Sequence, residues 1–378
     1  MAEHPPIKVH WFLPTSGDGN EVVGVGRSDR DRRKPTRAYL GQIARAADHL
    51  GFEGVLTPTG TWCEDAWLTT ASLLGETERL KFLVAFRPGS VSPTLAAQQA
   101  ATFQRLSGGR LLLNVVTGGD ADEQRRFGDW LDHDQRYERT DEFLAVLKGA
   151  WGKKPFDFEG NHYRVQGATV SGRLDPVPDL YFGGASAPAE AVAARHVDVY
   201  LMWGETPEMC VERIERVRAL AAANGRTLRF GIRLLVIARP TSEAAWAETE
   251  RLLAGMDPKA IAAAQDQFRR TQSVGQQRMA ALHGGRTDRL EVSPGLWAGF
   301  GLVRGGAGTG LVGSYEEVAD RIEDFHRIGF DEFILSGHPH LEEAWQVGEG
   351  VLPILRERGL LAGDDAAAPA VLRPASAS

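Results

Sequence analysis

The run Lys81–Gly89, KFLVAFRPG, is followed by an amphipathic stretch over Thr94–Leu106 and then by Gly109–Gly119, GRLLLNVVTGG. Two continuous apolar runs, each closing on glycine, flank a segment of helical period. Strands that are apolar at successive positions, and not at alternate ones, are buried on both faces, as in parallel sheets built from right-handed strand–helix–strand units. Toward the N-terminus the same unit recurs: a strand over Ile7–Leu13, the loop SGDGNEVVGVGRSDRDRRKP, a helix over Thr36–Leu50, the strand GFEGVLTP and a helix over Glu64–Leu74. Toward the C-terminus come a helix over Arg136–Trp151, a hairpin excursion FDFEGNHYRVQGATV, DLYFGGAS with a helix over Pro188–Ala194, and VDVYLMWGE with a helix over Pro207–Ala223. LRFGIRLLVIAR supplies a seventh strand, and DEFILSGH, followed by a helix over Leu341–Leu355, an eighth.

Eight such units predict a TIM (β/α)8 barrel, since doubly wound sheets use fewer. Between the seventh and eighth strands, Pro240–Gly313 holds helical pieces and then a glycine run, and reads as an insertion at the active-site end. The chain is thus expected to be one barrel domain over 1–360, with a low-complexity, disordered tail over 361–378. At 378 residues it is long enough to bury roughly three quarters of its unfolded surface without a disulfide or metal staple.

Composition narrows the function. Lys+Arg number 43 against 50 Asp+Glu, a net charge of −7, which argues against nucleic acid as the main partner. The cysteines, Cys63 and Cys210, form no CxxC or Cys/His metal pattern. No basic start precedes an apolar run and no stretch of about 18 apolar residues occurs, so a soluble cytoplasmic protein is expected, without signal peptide or membrane span.

Catalytic groups in this architecture lie just beyond the C-terminal ends of the strands. Reading these off gives Ser16 and Asp18, Thr59 and Cys63, Arg87, Thr117 with His133 and Tyr137 in the loop beyond, Gly183, Gly184 and Ser186, Trp203 and Glu205, Arg233, and His338 and His340. The set is rich in anion donors. It has no HExxH-like spacing of ligands, so no metal site is expected, and no GxSxG elbow, although a Ser/His/Asp arrangement stays open on residue types. YFGGAS places glycines at a strand end with a helix starting after them, which suits either a phosphate cradle or a plain turn. GFGLVRGGAGTGLVG, Gly299–Gly313, reads either as a mobile lid whose Arg304 closes over an anion or as a flexible connection.

Ten motifs in one order then match a known pattern: HWFLPTSGDG, PTGTWCEDAWL, KFLVAFRPG, NVVTGGD, DHDQRYERTDEF, YFGGAS, FGIRL, SVGQQRMAALHGG, LWAGFGLVRGGAGT and SGHPHLEEA. From about His10 to Leu355 the chain resembles the alkanesulfonate monooxygenases, flavin-dependent enzymes of the bacterial luciferase-like superfamily. The resemblance implies a reduced-FMN-dependent monooxygenase that uses O2 to cleave the C–S bond of an organosulfonate, giving an aldehyde and sulfite. It also implies a separate NAD(P)H:FMN reductase and a homo-oligomer, a dimer or tetramer. The absence of a Rossmann fingerprint agrees with reduction being done elsewhere.

Carried over by resemblance, Cys63 matches a cysteine near flavin and sulfonate, where composition alone would make it a packing residue. His133, Tyr137 and Ser186 match holders of the FMN phosphate. Trp203, Arg233 and His338 fall at family active-site positions, Arg233 as the anion anchor if it is not spent on a structural carboxylate, and Arg304 on the mobile loop. The expected catalytic set is Arg233, Cys63, Trp203, Arg304 and His338. The expected cofactor set is Thr59, Arg87, Thr117, His133, Tyr137, Gly184, Ala185 and Ser186. Three positions depart from the pattern: Ser16 and Leu235 stand where the family has histidine, and His338 where it has tyrosine. They leave open the same flavin chemistry on another small substrate, such as a sulfone, an amine or a natural-product intermediate, beside a non-catalytic flavin-binding barrel. Arg87, Arg233 and Arg304 are expected to make the mouth locally positive within an acidic protein.

Overall fold

The computed structural model describes residues 5–22 and 32–361; the middle of the first loop and all but the first residue of the tail expected to be disordered lie outside the described residues. Eight parallel strands close into a TIM barrel: β1 Lys8–Phe12, β2 Gly54–Thr57, β3 Lys81–Phe86, β4 Leu111–Val115, β5 Leu180–Gly183, β6 Val199–Trp203, β7 Arg229–Arg239 and β8 Glu332–Ser336. Each pairs in parallel with the next, and β8 closes on β1 with His10 opposite Ile334. Outside lie helices α1 Arg37–Leu50, α2 Ala66–Leu73, α3 Pro93–Ser107, α4 His133–Ala150, α5 Ala187–His196, α6 Pro207–Ala223, α7 Tyr315–Arg327, and an eighth position where His340–Trp345 and Leu352–Glu357 are joined by a π-turn.

Local chemistry sets the ends. Thr36, Asp65 and Ser92 accept first-turn N–H groups at α1, α2 and α3, and Gly51 and Gly108 close α1 and α3 in the left-handed region. Phe12, Leu56, Leu83, Leu112, Tyr181, Val199 and Ile334 fill the barrel interior, while the larger apolar layer lies between strands and helices. Glu332 sits inside the barrel at the start of β8. It is paired with Arg229 at 2.7 Å and His10 at 3.1 Å and accepts a bond from the Tyr181 hydroxyl at 2.5 Å.

The hairpin excursion is present, Phe156–Glu159 against Arg164–Ala168. The stretch after β7 contains more order than helical pieces and glycine. Helices Ser242–Ala254, Pro258–Arg269 and Val274–His283 lead into short strands Glu291–Ser293 and Leu296–Trp297 and then a strand Gly310–Ser314. That last strand pairs in parallel with the outer half of β7, Gly310 opposite Leu235 through Ser314 opposite Arg239. The eleven-residue β7 therefore serves two sheets: Arg229–Arg233 face β6 inside the barrel and Leu235–Arg239 face the insertion. Helix α7, unassigned in the sequence reading, carries a capping box, Ser314 with Glu317.

Candidate functional site

A cavity of about 640 Å³ opens at the C-terminal ends of the strands. Its wall includes Thr59, Thr117, His133, Tyr137, Gly184, Ala185, Ser186, Trp203, Arg233, Arg304 and His338 from the expected sets. Cys63 and Arg87 fall outside it. The Cys63 thiol turns back on its own loop, 3.6 Å from the Gly60 carbonyl, and burial pushes its pKa up to about 11. Arg87 is buried and bonded to Glu123 at 2.5 Å, so its charge is neutralised behind the wall. Leu235, which stands where the family has histidine, does not line the cavity either. It is fully buried with Trp297 and Phe300 in the apolar cluster under the insertion. Ser16 does face the cavity.

At one end, α5 begins without a side-chain cap: its N-cap Ser186 makes no capping bond, and among the described residues its buried hydroxyl has only the Tyr137 hydroxyl to face. By contrast, the start of α4 is closed by a capping box, Asp132 with Gln135. An uncapped helix start with open N–H groups and two neighbouring hydroxyls is built for an anion. Gly184 lets the cradle close: a Cβ there would lie 2.6 Å from Ala189 Cβ and 3.3 Å from the Tyr137 hydroxyl. Burial raises the Tyr137 pKa, keeping it a neutral donor, and His133 packs edge-on against it at 4.9 Å.

The other end is cationic. Arg233 is buried, with a guanidinium that donates to the Leu234 carbonyl at 2.6 Å, the Ile334 carbonyl at 3.2 Å and Ser336 Oγ at 2.7 Å. It lies over the Phe12 ring at 4.8 Å, and among the described residues no carboxylate pairs with it. Burial, then Arg304, drives its pKa well below the usual guanidinium value. Arg304, lowered to about 10 by desolvation, donates to the Ala307 carbonyl at 2.8 Å. The arch that carries it, Val303–Thr309, is tied down by Gly306 N–H to Gln276 at 2.8 Å and by the Thr309 hydroxyl to the Gly204 carbonyl at 2.6 Å. Phe300 and Leu302 before it are buried, and Gly310 after it belongs to a strand, so the glycine run narrows to this arch. Trp203 packs beneath, close enough to Gly275 that a Cβ there would come within 3.1 Å of its ring.

Three features of this end went unread in the sequence. Arg32 and Arg213 line the cavity, the latter bonded to buried Glu205 at 2.8 Å. Glu205 also holds Arg278 of the insertion. The histidines do have a carboxylate near them: Asp18 lies with His338 and His340 in one group whose ligand-capable atoms fall within 4.8 Å. Nothing local could have disclosed this, because Asp18 and His340 are 322 residues apart.

A family described as luciferase-like monooxygenase is matched over residues 7–332. Among solved structures, a riboflavin lyase with modified FMN and riboflavin superposes at TM-score 0.79, with 22% identity over 95% of this chain and 93% of that one. EDTA monooxygenase from Chelativorans sp. BNC1 does so at 0.74, 20% identical over 95% of each chain. DmoA from Hyphomicrobium sulfonivorans gives 0.77, 20% identical over 95% and 90%. At such identities the likeness to these structures is one of fold. Among the described residues no helix is long and apolar enough to cross a membrane.

Proposed function

We propose, from the premise that the chain belongs to the luciferase-like monooxygenase family, that it is a reduced-FMN-dependent monooxygenase whose substrate is a small organic anion, an organosulfonate. The observation that carries this reading is the pair Arg233 and Arg304. Two desolvated guanidiniums share one cavity, and no carboxylate among the described residues pairs with Arg233. Such an arrangement is costly in the empty protein and is relieved when an anion enters.

The other end suits FMN. The Ser186 hydroxyl, the uncapped start of α5, Tyr137 and His133 would hold its phosphate, and Thr59 and Thr117 line the same cavity. Bound and reduced, the flavin would supply electrons to oxygen. The protein's own part is to anchor the sulfonate on Arg233 and Arg304 and to exclude water with Trp203 and the Val303–Thr309 arch. A separate NAD(P)H:FMN reductase and a homo-oligomer belong to the proposal; exposed Leu68 and Trp130 are surface that an assembly would cover.

A second reading, the same chemistry on a different small anion, is favoured by Ser16 and His338, which face the cavity where the family pattern has histidine and tyrosine. The protein supplied with FMN, an FMN reductase, NADH and oxygen should release sulfite from members of a sulfonate panel. Oxygenation of a non-sulfonate anion without sulfite would establish the second reading, and no product from either class would leave only a flavin-binding barrel.

A further inference from the structure

Asp18 is fully buried, and three groups from distant segments converge on it. The backbone N–H of His340 donates to one oxygen at 2.8 Å, the His340 ring Nδ1 lies 2.8 Å from the other, and the Tyr39 hydroxyl donates at 2.5 Å. The N–H of Gly19 adds a fourth bond at 2.9 Å. Hydrogen bonds from His340 and Tyr39 overcome the upward push of burial and hold the Asp18 carboxyl far below its ordinary range, so it is ionised. An ionised carboxylate against Nδ1 requires the proton on Nδ1, which leaves the Nε2 lone pair as the reactive nitrogen of a ring that lines the cavity.

We propose that His340 is the base that takes a proton from the bound substrate, and that Asp18, backed by Tyr39, is the positioning residue that fixes its tautomer. The proposal rests on the reading of the cavity as an oxygenase site for an organic anion. On the route from sulfonate to aldehyde, the carbon bearing the sulfonate must lose a hydrogen. Its C–H bond breaks, the proton passes to Nε2, and the C–H electron pair goes to oxygen; two further electrons come from the reduced flavin. One oxygen atom ends in the aldehyde, the other in water, and bisulfite leaves with the C–S pair.

The surroundings favour a base over a metal ion, although Asp18, His338 and His340 lie close enough for one. Both Asp18 oxygens already accept N–H or O–H groups, and Arg304 and Arg233 oppose positive charge on His340. The ionisable groups facing the dyad are Arg32 from the first loop, Tyr39 from α1, Arg233 from β7, Arg304 from the arch and His338 beyond β8. Burial, only partly offset by Asp18, keeps His340 below the ordinary histidine value and hence neutral near pH 7.

The test uses the full-length protein with 15N-labelled histidine and no cofactor. His340 should appear at pH 7 as the Nδ1–H tautomer with an unprotonated Nε2, and D18N should lose that lock. In turnover, D18N and H340Q should cut kcat/KM by roughly 100- to 10,000-fold, the range of general-base catalysis. The acid limb of the pH profile should move down in D18N, and the isotope effect from a substrate deuterated next to sulfur should rise. FMN affinity should hold within threefold in both, which shows that the barrel is intact. A wild-type Nε2–H tautomer, or D18N turnover within threefold of wild type, overturns the dyad. The expected tautomer without sulfite release from any sulfonate overturns the desulfonation reading and leaves the dyad as the base for another anion.

Discussion

Replacing Arg233 with methionine separates binding from stability. The guanidinium makes three hydrogen bonds, to the Leu234 carbonyl, the Ile334 carbonyl and Ser336 Oγ, and lies over Phe12, with Arg304 as a like-charged neighbour. Keeping an ion this deep costs several kcal/mol even after relaxation. Its neutral hydrogen-bond partners return about 1 kcal/mol each, so R233M should unfold at the same denaturant concentration as wild type or a higher one. Anion binding should move the other way. Losing a desolvated charge-assisted contact costs about 2–5 kcal/mol, or roughly 30- to 5,000-fold in affinity for the anionic substrate. FMN affinity, which the proposed function assigns to Ser186 and Tyr137, should change less than threefold. R233K, which keeps the charge but loses the planar fork, should fall between. Calorimetric titration with substrate and urea unfolding read the two effects independently. Anion affinity within threefold of wild type, or a stability loss above about 3 kcal/mol, would show that Arg233 is a structural cation and refute the reasoning.

Four further outcomes rest on the geometry. S186A and Y137F should each weaken FMN binding by roughly 10- to 150-fold, the worth of one hydrogen bond to a charged group, as read by quenching of flavin fluorescence. H338Y should shift preference within a sulfonate panel, because residue 338 faces the cavity; L235H should leave preference unchanged and cost about 1–3 kcal/mol in urea unfolding, because it puts an unpartnered imidazole beside Trp297 and Phe300. Glu332 has its pKa lowered to about 2: burial pushes it up, but His10 and Arg229 pull it further down. Its contribution, on the order of 3 kcal/mol, is therefore present above pH 4.5 and lost as pH falls toward 2. The difference in urea midpoint between wild type and E332Q should shrink across that window, and a pH-independent difference would sink the argument.

The barrel was legible because strand–helix units are local: KFLVAF and LLLNVV carry their apolar runs and glycine stops within a dozen residues. The strand-end rule then found Trp203, Arg233 and Ser186 from those local boundaries alone. Leu235, which the family resemblance put at a histidine position, lies away from the cavity for a physical reason. Arg233 and Leu235 are two apart and would share a face of a uniform strand. On one edge of β7 the partner changes between them, from Trp203 opposite Arg233 to Gly310 opposite Leu235. The strand leaves the barrel there, and the alternation that aims Arg233 at the cavity hands Leu235 to the insertion core. Asp18 and His340 fail for the opposite reason, since each was visible at a strand end while their 2.8 Å contact exists only because β8 closes on β1. Ring closure brings the first and last strands together, and groups that a linear reading keeps farthest apart become the nearest neighbours. In a closed barrel, the couplings least legible in sequence are therefore those between its two ends.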